Sequence, residues 1–471
     1  MIINMLTSNN INLETFYDVA IIGAGAAGIT IAAKLAKEGK KTALIEGGDF
    51  DYTDESQNLY KGQVIGDPYF DLDVTRLRYF GGSTNHWSGY CRNFEKIDFN
   101  REYLGELFKW PINILEIKKY QEKACKILEI KNSFSYENQN SEVKRIKFQF
   151  SKPVRFREKY FDRLKQSKNL DIFLNSSLTD LNGKNNTITS ATFNSFNKKT
   201  ITISSKKFVF AMGGLENNRY MLWFNEKYKN QFFSSNLPIG EYWMEHPHFT
   251  LGKAIVKRSK VPGSFYSISP NLQKELGIMN CGFRIKHFRD SKTKEIIRDI
   301  SCIAPKLGKK LANMFNKNLV CGATFRAAWE QAPNKENKVL LDKKKDILGI
   351  PQILLFWKKK ELDRKTITES IKIFNNWLLK SDLGRIQLDD WIVNKTNYPE
   401  NDELGGHHHM GGTRMHENNK FGVVDTNCKV YGSSNLYIAG SSIFTTGGHN
   451  NPTLPIVAFA LRLADHLKKQ V

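Results

Sequence analysis

A chain of 471 residues, 40% hydrophobic and 25% charged, is long enough for two or three structural units around a large buried core. No run nears the roughly 18 apolar residues of a membrane helix, residues 1–15 lack the basic-then-apolar layout of a signal peptide, and no zinc-finger or RNA-binding signature accompanies the formal charge of +22. A cytoplasmic protein with no nucleic-acid partner and no transmembrane segment is therefore expected. Its charge is either compositional drift, with Lys and Asn filling weakly constrained stretches such as 131–147, or an attraction for anionic substrates. Six scattered cysteines (91, 125, 281, 302, 321 and 428) form no CxxC pair, which fits unpaired thiols in a reducing compartment.

The first clear element is Asp18-Val-Ala-Ile-Ile22, a short apolar run suited to a buried parallel strand. Gly23-Ala-Gly-Ala-Ala-Gly28 follows, then helical periodicity over Ile29–Lys37 closed by Gly39, and a second strand over Lys41–Glu46. Residues 59–90 are rich in glycine and aromatics and read as a functional loop. Residues 101–130 look helical, 132–140 read as a surface loop, 156–166 as a helix and 170–181 as a strand. Alternation over 187–209 predicts a small antiparallel meander leading into Lys207-Phe-Val-Phe-Ala211, Gly213-Gly214 and a helix over 216–224. Residues 250–400 mix strand and helix patterns without a motif, and the last seventy residues are dense with motifs again. No repeat or long linker interrupts the chain, so one domain built from separated segments with a second inserted between them is expected.

Gly23-x-Gly25-x-x-Gly28, between a strand and a helix, is the dinucleotide fingerprint. Gly23 permits the tight turn, Gly25 lets the backbone approach a pyrophosphate, and Gly28 allows close packing of helix on strand. The helix N-terminus then offers amides and a positive dipole to phosphates. Glu46, ending the second strand, suits ribose hydroxyls and would repel a 2′-phosphate. The fingerprint alone leaves FAD and NAD both open.

Further segments resemble the glucose–methanol–choline (GMC) oxidoreductases. They are Gly81-Gly-Ser-Thr-Asn-His-Trp-Ser88, Gly240-Glu-Tyr-Trp-Met-Glu-His-Pro247, His408-His-Met-Gly-Gly-Thr-Arg-Met415, Gly422-Val-Val-Asp425, Asn435-Leu-Tyr-Ile-Ala-Gly-Ser-Ser442 and Gly448-His-Asn-Asn-Pro-Thr-Leu454. The Asn-His-Trp loop and the Asn-Pro-Thr-Leu ending are most similar to the pyranose 2-oxidase and bacterial sugar dehydrogenase branch. The resemblance implies an α/β fold: a Rossmann-like FAD-binding domain of the p-hydroxybenzoate hydroxylase type with a sheet-based α+β substrate domain. It implies residues 1–250 as the N-terminal part of the FAD domain with a flavin loop at 76–92, residues 251–400 mainly as substrate domain, and residues 401–471 as the C-terminal, catalytic part of the FAD domain. The residues expected to hold FAD are Gly23, Gly25, Ala26, Ala27, Gly28, Glu46, Gly47, Gly81, Gly82, Ser83, Asn85, His86, Trp87, Ser88, Leu178, Ala211, Gly213, Gly440, Ser441, Asn451, Pro452 and Thr453.

Oxidising an alcohol by hydride transfer to flavin N5 needs a base for the hydroxyl proton and a polar group to hold the oxygen. The resemblance assigns His408 as base and Asn451 as its partner, with His449 an alternative partner and with His407 and His409 not separable from His408 by sequence. On a strand these three would alternate between faces, so with His416 nearby they are not expected to converge on a metal. His86 stands where some family members bond histidine to the flavin 8α-methyl; a hydrogen-bonding role is the other possibility. His246 reads as structural, and Arg219 as a contact to phosphate or carboxylate. The expected activity is oxidation of an alcohol, a sugar ring hydroxyl first, with an electron acceptor (oxygen, quinone or redox protein) that motifs do not specify. A non-redox lyase on the same fold and a non-sugar alcohol oxidoreductase are the alternatives.

Overall fold

The computed structural model describes residues 1–8, 15–152, 154–257, 259–287, 300, 304–314, 323–400 and 405–471. A largely parallel sheet runs in the order 2–4, 170–174, 42–45, 16–22, 200–210, with 187–194 and 177–184 continuing antiparallel beyond it. Strand Thr200–Phe210 is the hinge of this topology. Its first half pairs with the meander, while Ser204–Phe210 pairs parallel with Phe16–Ile22 and Phe208–Phe210 also with Leu436–Ile438. The sheet therefore takes strands from both ends of the chain. Val19–Ile22 and Thr42–Ile45 are wholly buried, as continuous apolar runs covered on both faces should be. Helix Ala26–Lys37 packs on helix Thr453–Lys468, which packs in turn on helix Ile114–Ile127.

A second, antiparallel sheet runs in the order 384–388, 248–256, 323–329, 281–286, 265–268, 143–146, 136–138. Strand Ala323–Trp329 alternates buried and half-buried residues, the signature of a sheet with one face on a core. Helix Glu361–Lys380 covers that face: Phe374 stacks on Phe325 at 5.6 Å and on Phe283 at 5.1 Å. Strands 338–345, 351–357 and 62–66 form a smaller third sheet.

Several elements differ from the sequence reading for local reasons. The helix expected over 101–130 is confined to Ile114–Ile127, after two short 3-10 turns. Pro111 stops propagation from upstream, and Asn113 caps the helix by accepting from the Leu115 amide at 2.9 Å. The strand expected over 170–181 breaks at Asn175, whose φ of 55° reverses the chain between strands 170–174 and 177–184. Tyr136–Asn138, read as loop, is an exposed edge strand, and the helix after Gly213-Gly214 extends over Gly213–Tyr228.

Candidate active site

A cavity of about 510 Å³ opens at the C-terminal ends of strands 16–22, 42–45 and 200–210, where ligands of open parallel sheets bind. The fingerprint glycines divide their tasks there. Gly23 has φ 107° beside the Ala211 carbonyl, and a β-carbon on Gly28 would stand 1.9 Å from the Gly23 oxygen. A β-carbon on Gly25, Gly213 or Gly440 meets nothing within 4 Å, and all three residues line the cavity. Three glycine Cα atoms thus present bare backbone to one empty space, which fits a dinucleotide. Glu46 is fixed beside it, its carboxylate accepting from the Ala24 amide at 2.9 Å and the Gly48 amide at 3.0 Å.

Of the residues expected to hold FAD, Ala26, Ala27, Glu46, Gly47, Gly82, Ser83, His86, Trp87, Ser88, Leu178, Ala211, Ser441, Asn451, Pro452 and Thr453 also border this cavity. Gly28, Gly81 and Asn85 do not. Gly28 sits in the helix–strand contact, and the Asn85 amide is turned back to the Phe80 carbonyl at 3.0 Å, closing the loop instead of facing the cavity. Sequence reasoning missed Tyr60, Arg76, Arg78 and Glu216, which line the cavity without belonging to any motif. Arg78 donates to Ser56 and Ser177 at 2.8 and 3.0 Å, and Arg76 pairs with Glu216 at 2.9 Å. Arg219 contacts carboxylates, Glu216 at 3.2 Å and Asp346 at 2.6 Å.

At the other end of the cavity lie His407, His408, His409 and Asn451. The expected alternation of the three histidines fails. Residues 405–409 are not a strand, His407 has φ 51°, and all three border the cavity. Met410 exchanges two backbone hydrogen bonds with Met244, at 2.8 and 3.0 Å, which zips the histidine segment to the segment ending in His246-Pro247. Across that zip His246 Nδ1 and His408 Nδ1 are 2.9 Å apart. His449 is buried off the cavity, and His416 accepts from the Asn418 amide at 3.0 Å. Behind residues 446–451 stands a buried ionic cluster in which Glu330 accepts from the Gly448 amide at 2.7 Å and pairs with Arg101, itself 3.0 Å from Asp98. Burial pushes Glu330 and Asp98 upward.

Two family profiles match the chain. An FAD binding domain covers residues 18–52, and the GMC oxidoreductase profile covers 333–460, the stretch that carries His408 and Asn451. This chain matches the GMC oxidoreductase family over its C-terminal stretch. It is FAD-dependent, and both halves of the FAD-side architecture, the fingerprint and the C-terminal block, meet at one cavity. The 2-methyl-1,2-propanediol dehydrogenase of Mycolicibacterium austroafricanum is 22% identical, over 96% of this chain and 95% of that one. The fructose dehydrogenase large subunit of Gluconobacter japonicus is 24% identical, over 59% and 50%. In fold, the chain is similar to formate oxidase of Aspergillus oryzae (TM-score 0.59, 14% identity, 98% and 99% covered). It is also similar to pyridoxine 4-oxidase of Mesorbium loti (TM-score 0.58, 15%, 96% and 99%).

Three imidazoles at or beside the cavity, those of His246, His408 and His449, are held neutral. Burial depresses His246 and His449 to about 3, and burial with the neighbouring His246 and His248 lowers His408 well below its usual range. A neutral imidazole can accept a proton, which is what a base in this position needs. Among the described residues, no helix is long and apolar enough to cross a membrane.

Two outcomes follow from this geometry. Gly25→Val should leave folding intact and abolish flavin binding, because its side chain projects into the cavity. Gly28→Ala should instead destabilise the fold by about 1–3 kcal/mol through overpacking; urea midpoints and flavin absorbance separate the two. Because the folded state keeps His246 and His449 neutral while the unfolded chain protonates them near pH 6.5, stability should fall as pH drops from about 6.5 toward 3. Each contributes a loss of about 2 kcal/mol at pH 5. His449→Gln should flatten the pH slope of the unfolding free energy by about one proton.

Proposed function

We propose that this protein oxidises a secondary hydroxyl of a sugar to a carbonyl, with His408 as the base and Asn451 as the group that holds the alcohol oxygen. The observation that carries this reading is the convergence of a neutral His408 and Asn451 on the cavity bordered by the dinucleotide fingerprint. Gly25, Gly213, Gly440 and Glu46 would hold FAD; when bound, its isoalloxazine supplies the hydride acceptor. His408 takes the hydroxyl proton as the carbon–hydrogen bond is broken. The Asn451 amide donates to the oxygen and keeps that bond aimed. Asn451 borders the cavity and His449 does not, which favours Asn451 as the partner.

The sugar reading rests on the Asn85-His86-Trp87 and Asn451-Pro-Thr-Leu454 motifs and on the relative named for fructose. A second reading, a small non-sugar diol, is favoured by the relative that aligns along nearly the whole chain. Both substrates carry adjacent oxygens, one to be oxidised and one to anchor the molecule. Among the described residues, four buried unpaired cysteines, 91, 125, 281 and 428, suit a reducing, cytoplasmic setting. The electron acceptor is a small molecule or redox protein outside this chain.

Anaerobic mixing with D-glucose, D-fructose and 2-methyl-1,2-propanediol tests the reading. A sugar should bleach the flavin, and His408→Ala should slow bleaching about 10²–10⁴-fold with flavin still bound. Bleaching by the diol alone would select the second reading, and a larger effect of His407→Ala or His409→Ala would move the base. His86 borders the same cavity. Acid precipitation should release its FAD freely; colour retained in the pellet and lost in His86→Ala would establish a covalent bond instead.

A further inference from the structure

The second sheet turns one face to helix Glu361–Lys380 and the other to the candidate site. Phe283 and Phe325 stack on Phe374 of that helix, so Gly282 and Arg284 on one strand, and Arg326 and Ala328 on the next, point the opposite way. A β-carbon on Gly282 would stand 3.6 Å from the His449 ring, and His248, paired with Ala328, has its ring 5.9 Å from that of His408. Arg284 and Arg326 lie opposite each other in the ladder, two residues from this row and about 7 Å along the strands. Both are half-buried, and among the described residues neither has a carboxylate partner. Arg284 is held by rings instead, its guanidinium carbon 5.0 Å from the centre of Phe265 and 5.8 Å from that of Tyr90 in the flavin loop. A guanidinium stacked on a ring keeps its edge N–H groups for another partner. Arg326 Nε is buried without a hydrogen-bond partner. The next row continues the same sign, with exposed Lys286 and Lys253 on either side of Thr324.

We propose that the substrate carries a carboxylate or phosphate group, and that Arg284 and Arg326 bind this group while His408 and Asn451 act on a hydroxyl at the other end of the molecule. The proposal rests on the reading of the protein as a sugar-hydroxyl oxidoreductase with His408 as base, and it names the class as a sugar acid or sugar phosphate. Like charges directly opposite on a sheet repel each other, and a buried donor without a partner is costly. One anion between the two guanidinium groups removes both costs, and the guanidinium fork matches the paired oxygens of a carboxylate or phosphate. A neutral polyol leaves both costs standing. The two arginines do not border the cavity that fits the dinucleotide; they face His248 and His449 from the sheet side, so they do not compete for the phosphates of the cofactor. The offset of about 7 Å between the His248 row and the arginine row suits a hexose with its anionic group at one end and the carbon to be oxidised at the other. The charge of +22 then also helps to gather such a substrate.

The test uses the FAD-bound protein at low ionic strength with three probes of one ring type, D-glucose, D-glucuronate and D-glucose 6-phosphate. Binding is read by calorimetric titration of His408→Ala, which removes the base and leaves the arginines in place. At least one anionic probe should bind about 10- to 100-fold more tightly than D-glucose. Tight D-glucuronate identifies a carboxylate as the natural group, and tight D-glucose 6-phosphate identifies a phosphate. Arg284→Met and Arg326→Met, each added to His408→Ala, should reduce the preference about 10-fold at unchanged flavin content and unchanged D-glucose binding. Equal binding of all three probes overturns the proposal, as does a preference that survives both methionine variants. If a methionine variant does not fold, Arg284→Lys and Arg326→Lys, which keep the charge and lose the fork, take its place; a preference of wild-type strength in both overturns the proposal. The titrations need no turnover, so a failure of every probe to bleach the wild-type flavin would count against the sugar-oxidation reading and not against the anion site.

Discussion

Glu245 is almost wholly buried, and one of its oxygens accepts from the amides of His246 and His408, residues that lie 162 positions apart. Its other oxygen takes the hydroxyl of Tyr69, in the loop before the flavin segment. Its own amide donates to Gln331 at 3.0 Å, and Gln331 accepts from the Trp357 indole at 2.8 Å. Segments from the loop before the flavin loop, the His-Pro turn and the C-terminal block therefore meet at a single carboxylate, while Gln331, just beyond the second sheet, holds its backbone amide. A buried charge is tolerable only when saturated with donors, so none of these segments can withdraw without exposing the cost of the others. The placement of His246 and His408 depends on this saturation.

The same principle recurs on two other sides of the cavity. Arg76, Glu216, Arg219 and Asp346 form a buried chain of opposite charges that ties the flavin loop to helix 213–228 and to the third sheet. Asp98, Arg101 and Glu330 do so beneath residues 446–451. Buried ion pairs contribute little to net stability but are costly to break singly. Their service here is geometric, since each fixes a wall of the cavity that no regular element supports.

The legible parts of the sequence were the local ones. The strand–glycine–helix unit at 18–37 could be read because each glycine answers to a neighbour within a few residues, and the meander over 187–209 because alternation is a local property. The C-terminal block could be read through family motifs, and a GMC oxidoreductase profile matches it. What stayed hidden depends on distant partners. Nothing near Arg76 in sequence reveals Glu216, 140 positions away, and nothing near His246 reveals the ring it faces. The histidine triplet misled for the same reason: alternation assumes a strand, whereas Gly405-Gly406 and the left-handed His407 abolish it, and only the pairing of Met410 with Met244 sets where the rings go. Edge strand 136–138 and the strands of the second sheet carry no motif because their order is decided by a core assembled from five separated stretches.

Strand Leu436–Ile438 lies at the far end of the chain yet pairs with Phe208–Phe210 at the middle of the cofactor sheet, one strand from the fingerprint. During synthesis the first 210 residues leave the ribosome with the sheet edge at Phe208–Phe210 uncovered and the cavity lacking Gly440, His408 and Asn451. An open edge of buried β-branched and aromatic residues is a template for wrong pairing. The growing chain therefore carries an association-prone edge for nearly half of its translation, and the nucleotide fingerprint, although among the first segments made, must wait for the last to be enclosed.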